Sequence, residues 1–269
     1  MDLANKNNLD LVRTEGTYID GARKNYLGIS CDDISIKDTL RLIDNYGTTR
    51  FLSIVTPNID HIVKLNSKSH AELNFSYSRA TLILNDSKVV KLLSNILRLG
   101  IVNVATGSDL VEKLISRDQK QHFLLIGPND SATQILRGKY PSCTFENVCP
   151  DRDKIDKAQS LEIVELAAQP RFTIILFCMG CPMSENLLSQ IADHRTFGVG
   201  ISCGAAIDFL TGKQRRAPKF IRAMSMEWLF RAFSQPSRLG KRYACNLIQL
   251  PMLLAKLAAS RSLYSNRSW

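Results

Sequence analysis

Short runs of β-branched and large apolar residues alternate along this chain with stretches whose apolar positions recur every three or four residues. The runs Phe51–Val55, Thr81–Leu84, His122–Ile126, Phe172–Phe177 and Phe197–Ser202 predict buried strands. Helical periodicity predicts helices over Asn58–Leu65, Ser87–Leu97, Ser108–Ile115, Ser160–Ala168 and Met183–Ala192. Strands alternating with helices imply an α/β domain around a largely parallel sheet. In such sheets ligands bind beyond the carboxyl ends of the strands. Polar, turn-forming residues cluster at those ends: Thr56-Pro57-Asn58, Asn85-Asp86-Ser87, Thr106-Gly107-Ser108-Asp109, Gly127-Pro128-Asn129-Asp130 and Gly180-Cys181-Pro182.

The chain has 269 residues and a formal net charge of +10, and the charge is unevenly placed. From Lys213 onward there are twelve Lys and Arg residues and one acid, Glu227, so the remainder is close to neutral. This division predicts three parts: a segment over residues 1–24 without a readable motif, an α/β domain over 25–212, and a basic helical appendage over 213–269. Such concentrated positive charge implies an anionic partner: ligand phosphates, a membrane surface or nucleic acid. No span reaches the roughly 18 apolar residues of a membrane-crossing helix. Tyr243–Leu257 comes nearest but is interrupted by Asn246, Gln249, Pro251 and Lys256, so it suits a membrane interface or its own domain's surface. Seven cysteines at irregular spacing and no apolar leader at Met1 suggest a reducing cytoplasm.

Several residues at the strand ends carry candidate chemistry. Thr56 is placed to cap the following helix with Pro57 in its first turn, which leaves Asn58 to face a ligand. Asp86 is either a plain helix cap or a carboxylate able to take a proton from an attacking hydroxyl. The Thr106-Gly107 turn is either a strand-to-helix connection or a phosphate cradle built from backbone N–H groups. Cys178-Met179-Gly180-Cys181 has C-x-x-C spacing, but no second cysteine pair stands at ligand spacing. His61, His70, His122 and His194 are scattered, so neither a metal site nor a cofactor is expected.

Taken together, Gly204–Asp208, Arg215-Arg216-Ala217-Pro218, Glu227-Trp228-Leu229-Phe230-Arg231 and Pro236–Tyr243 resemble the WecG/TagA/CpsF family of bacterial glycosyltransferases. The resemblance extends back to about Gly28. Thr56-Pro57-Asn58-Ile59-Asp60-His61 is similar to the family's T-P-N-x-D-H, Asn85-Asp86-Ser87 stands at its Asp-Gly pair, and Thr106–Leu110 at its T-G-S-D-L. Gly180–Glu185 falls at its G-x-P-x-Q-E, and Gly198-Val199-Gly200 with Gly204–Asp208 at its G-V-G-x-x-F-D.

The resemblance implies a Rossmann-like fold and an inverting, metal-independent transfer. A sugar would pass from a UDP-sugar to a glycan on a polyprenyl diphosphate, in cell-surface polysaccharide synthesis at the inner face of the cell membrane. By position it implies Asp86 as catalytic base and Thr56 and Asn58 as pocket residues. Gly107, Asp109 and Ser184 belong to its substrate-binding motifs, and Gly204 and Asp208 to its nucleotide-contacting segment. Arg231, Arg238, Lys241 and Arg242 are the cations that reach toward diphosphate. Two positions depart from the pattern: Val104 stands where the family has Arg, and Ser184 where it has Gln. Ser87 in place of Gly is milder. A non-catalytic membrane-associated scaffold is the alternative, and self-association is left open. A nucleic-acid partner is not expected, because no aromatic platforms interleave the cations.

Overall fold

The computed structural model describes residues 23–27, 29–67, 70–97, 100–101, 103–117, 119–151, 155–218, 220–221, 227–234, 240 and 244–255. The chain enters through a hairpin of β1 (Lys24–Tyr26) and β2 (Ile29–Cys31). Arg23 fixes this hairpin by pairing both carboxylate oxygens of Asp32, at 3.0 and 2.9 Å. The second of those oxygens also accepts from the N–H of Ile83 at 2.8 Å, which ties the hairpin to the edge of the main sheet.

The main sheet contains β3 (Phe51–Val55), β4 (Leu82–Ile83), β5 (His122–Ile126), β6 (Thr144–Val148), β7 (Ile174–Phe177) and β8 (Gly198–Ser202). Their spatial order is β4-β3-β8-β7-β5-β6, and every pairing is parallel. The largely parallel α/β architecture expected from the sequence is the observed one. A sheet covered on both faces needs continuous apolar strands, and Ile174–Phe177 and Gly198–Ser202 are buried at every position. Gly200 is dictated by packing: a Cβ there would run into the side chains of Leu188 and Phe51.

Helices cover the two faces. On one side lie α1 (Ile36–Tyr46), α5 (Gly107–Ile115), α6 (Asp130–Lys139) and α9 (Ala206–Leu210), which supply Leu42, Leu110, Leu114, Leu136 and Ile207 to one core. On the other lie α2 (Ile59–Leu65), α3 (Ala71–Ser78), α4 (Lys88–Ile96), α7 (Lys157–Ala168) and α8 (Met183–Ile191). They supply Ile62, Leu73, Val90, Ile163 and Leu187 to a second core. The hairpin β1-β2, β6, α1, α3, α6 and α9 are additions to the elements expected from the sequence.

The basic C-terminal part contributes α10 (Glu227–Ser234) and a helix over residues 244–255. Leu253 and Leu254 of the latter pack against the second core, and its buried Asn246 donates to Oδ1 of Asp60 at 3.5 Å. Its Leu247, Ile248 and Met252 are exposed. Among the described residues no helix is long and apolar enough to cross a membrane.

Candidate active site

The chain leaves β3 toward α2 on one face of the sheet and leaves the neighbouring β8 toward α9 on the other. Connections that depart to opposite faces open a crevice between two adjacent strand ends, where ligands of open α/β sheets bind. Thr56 and Ser202 stand at this point. The Thr56 hydroxyl donates to the Ser202 carbonyl at 2.8 Å, so it stitches the two strand ends together. This corrects the expectation that Thr56 caps the next helix. The cap of α2 is Asn58, whose side-chain oxygen accepts from the N–H of Asp60 at 3.0 Å. A cap side chain accepts from an N–H two or three residues on, and Asn58, directly before Ile59, holds that position while Thr56 is committed to Ser202.

Asp86 stands three residues past the end of β4, after Leu84 and Asn85. Its N–H donates to the carbonyl of Pro57 at 3.0 Å, which ties it to the Thr-Pro-Asn segment. Its Oδ1 accepts from the N–H of Gly107 at 3.1 Å. Asn85 is buried and braces this corner: its Oδ1 accepts from the Ser87 N–H at 3.0 Å, and its Nδ2 donates to the Asn103 carbonyl at 3.1 Å. Ser87 then caps α4, so the capping reading falls on Ser87 and Asp86 is left half-buried at the sheet edge.

Gly107 allows the next element to close in. A Cβ there would stand 2.8 Å from Oγ1 of Thr56 and 3.2 Å from Cα of Cys203. Only a residue without a side chain fits there, and so the turn brings β3, β8 and Asp86 together. Its N–H is directed at Asp86, and Thr106 caps α5 by accepting from the Asp109 N–H at 3.1 Å. Half-buried Val104 lies in the loop just before this turn.

The other expected site residues divide. Gly204 follows Cys203 at a φ of +54°, with open space where a side chain would be. Asp208 on α9 is half-buried, and the Lys213 ammonium lies 3.9 Å from it. Asp109 pairs with Arg216, whose other terminal nitrogen reaches Glu112 at 3.2 Å. Burial opposes the charge of Arg216, but the hydrogen bond and charge of Asp109, with Glu227 and Glu112, outweigh it and raise its pKa. Ser184 is buried and directs its hydroxyl at its own turn, accepting from Met179 N–H at 3.2 Å and donating to its carbonyl at 3.0 Å. Arg231 belongs to α10, though its side chain, like Arg238, Lys241 and Arg242, lies outside the described residues.

The C-x-x-C pair is split. The Cys178 sulfur lies 3.7 Å from that of Cys203 across β7 and β8. Cys181 instead joins a buried cluster that sequence reasoning missed. His61 Nδ1 lies 2.7 Å from the Tyr77 hydroxyl and 3.8 Å from Oε1 of Glu185. Burial pushes the Glu185 carboxyl up to about 7, against hydrogen bonds from its own backbone and Cys181 and the charge of Lys64. Lys64 is held by the Cys181 carbonyl at 2.8 Å and by Asp60 at 3.0 Å.

The arrangement is a half-buried carboxylate at a strand-order switch point, with an open glycine segment across the crevice and cations on the following chain. Residues 24–266 match the family model described as "Glycosyl transferase WecG/TagA/CpsF family". Among similar curated proteins are two described as N-acetylglucosaminyldiphosphoundecaprenol N-acetyl-beta-D-mannosaminyltransferase. The protein of Staphylococcus aureus strain MW2 is 23% identical over 252 residues, covering 89% of this chain and 94% of its own. That of strain MRSA252 is 24% identical over the same lengths. With a match over most of its length, the chain belongs to the WecG/TagA/CpsF family of glycosyl transferases.

Proposed function

We propose that this glycosyltransferase moves a sugar from a UDP-sugar onto a glycan carried by a polyprenyl diphosphate, with inversion at the anomeric carbon. The reading rests above all on the placement of Asp86 between the Thr-Pro-Asn segment and the Gly107 turn. The acceptor class follows from the names of the Staphylococcus aureus relatives, whose acceptor is an undecaprenol-diphosphate-linked sugar.

In this mechanism Asp86 accepts the proton of the acceptor hydroxyl as that oxygen attacks the anomeric carbon opposite the departing UDP. The Gly107 N–H orients the carboxylate. Gly204 and Asp208 flank the nucleotide, and Thr56 and Asn58 form the wall near the reacting sugars. Charge accumulating on UDP needs preorganised donors. Arg231, Arg238, Lys241 and Arg242 take that role, since guanidinium forks suit phosphate oxygens. Asp109 holds Arg216 in place, and Ser184 shapes the wall from behind. Val104 and Ser184 depart from the family pattern while Asp86 persists, which favours a changed substrate over a lost activity.

The lipid acceptor draws the protein to the inner face of the membrane. The exposed Leu247, Ile248 and Met252 beside a cation-rich segment suit such a peripheral contact. The test is a panel of UDP-sugars with a soluble lipid-diphosphate N-acetylglucosamine acceptor, scored by UDP release and by the anomeric configuration of the product. Release of UDP with an inverted product supports the reading. No turnover with any donor, or a retained configuration, would sink it.

A further inference from the structure

His61 is far along the chain from Cys181 and Glu185, which are neighbours in sequence, yet one ligand-type atom of each lies within 4.8 Å of the other two. His61 sits in the first turns of α2, Cys181 just before α8, and Glu185 in the first turn of α8. A second observation points to a missing partner. Glu185 is 2% exposed, and among the described residues its Oε2 has no hydrogen-bond partner. A buried carboxylate oxygen without a partner is costly, and an unsatisfied one calls for an explanation.

We propose that His61, Cys181 and Glu185 bind one zinc-class divalent ion, which clasps the start of α2 to the start of α8. An imidazole, a thiolate and a carboxylate are the ligand types zinc takes, whereas magnesium and calcium prefer all-oxygen sets. Tetrahedral bonds of about 2.0–2.3 Å put ligand atoms roughly 3.3–3.8 Å apart. His61 Nδ1 and Glu185 Oε1 are already 3.8 Å apart. As the ion binds, the Tyr77 hydroxyl, 2.7 Å from that nitrogen, gives up its hydrogen bond while the carboxylate turns to offer Oε2 as well. No separation exceeds 4.8 Å, so the set closes by at most about 1 Å through side-chain rotation, since Cys181 is half-buried rather than locked in the core. Three protein ligands leave the fourth place to water, which enters past Cys181. The ion replaces the Cys181 thiol proton and any proton on Glu185, and these pass to solvent. The site is independent of the transfer reaction proposed above. It joins the Thr-Pro-Asn helix to the helix after β7, and no step of sugar transfer passes through it.

Cobalt(II) titrated into the chelator-stripped full chain tests this directly. The expected result is saturation at one ion per chain, with a thiolate-to-cobalt charge-transfer absorption that zinc abolishes. Cys181→Ser should remove that absorption, while Cys178→Ser should keep it. Even outer-shell substitutions commonly weaken metal binding about 10–100-fold, so loss of the thiolate should weaken zinc binding by at least about 100-fold. Glu185→Gln should keep the charge-transfer band but require more cobalt to reach it. No charge-transfer absorption in the unsubstituted protein, or an equal band in Cys181→Ser, overturns the proposal.

Discussion

The backbone N–H of Gly107 donates to Oδ1 of Asp86 at 3.1 Å, joining the start of α5 to the segment after β4. This bond fixes one carboxylate oxygen, and Asn85 braces the same corner through Ser87 and Asn103. If Asp86 is the general base, Asp86→Asn keeps the shape and removes the proton acceptor. Turnover should fall by about 10²–10⁴-fold, with an unchanged melting temperature. Full turnover in the folded variant would reassign the base.

Gly107→Ala probes the same corner through packing. The added methyl would meet Oγ1 of Thr56 at 2.8 Å and Cα of Cys203 at 3.2 Å, the second being backbone that yields poorly. Overpacking of this kind costs about 1–3 kcal/mol and displaces the N–H from Asp86. Denaturant unfolding should show the loss, and turnover should fall even where the protein remains folded.

Glu185 gives the metal-free protein a pH dependence. Its carboxyl moves from an ordinary 4.5 to about 7 on folding. Between those values the folded state holds a proton that the unfolded state has released. Its contribution is therefore complete below about 4.5 and is lost as pH rises through 7. The span corresponds to an order of 3 kcal/mol. Chemical denaturation across this range should show stability falling with pH, and Glu185→Gln should flatten the slope.

Arg231→Ala and Arg238→Ala should each slow transfer to a detergent-soluble acceptor. A lost charge-assisted bond to phosphate costs about 1.5–3 kcal/mol, or roughly 10–150-fold in rate. Arg242→Ala should do less, because Lys241 stands beside it. If these variants fail only on vesicles, the cations serve docking alone.

Replacing exposed Leu247, Ile248 and Met252 with serine should weaken binding to anionic vesicles, and high salt should weaken it further. Sedimentation with vesicles across a salt series reads both effects. Unchanged sedimentation would remove this helix from the contact.

Continuous apolar strands were legible in the sequence because both faces of the sheet are covered. β6 escaped because it lies at the sheet edge, where only Phe145 of Thr144–Val148 is buried. α1 and α6 escaped because their buried stripes are narrow and partly polar: Thr39, Leu42 and Ile43 in one, Ala132, Thr133 and Leu136 in the other. α3 buries Ser76 beside Leu73 and Tyr77 and has no side-chain cap. At the proposed site, motif order singled out Asp86 and Gly107, but nothing in their spacing showed that one N–H serves the other. The His61, Cys181 and Glu185 cluster was invisible for a similar reason. Its members meet only in the folded chain, where His61 of α2 comes within 3.8 Å of Glu185 of α8, and the C-x-x-C spacing pointed to the wrong partner.

The position of β8 between β3 and β7 governs how a newly made chain can reach this state. Until residues 198–202 leave the ribosome, β3-β4 and β7-β5-β6 are two half-sheets, each with a bare edge. The Asp86–Gly107 contact closes over 21 residues of chain, but Thr56 must wait for Ser202, 146 residues away. Closing the longer loop costs only about 2 kcal/mol more; the obstacle is order of synthesis. Bare parallel edges invite pairing with other chains. A nascent chain halted before β8 therefore carries both an aggregation hazard and an unfinished crevice, and a single strand of five residues removes both at once.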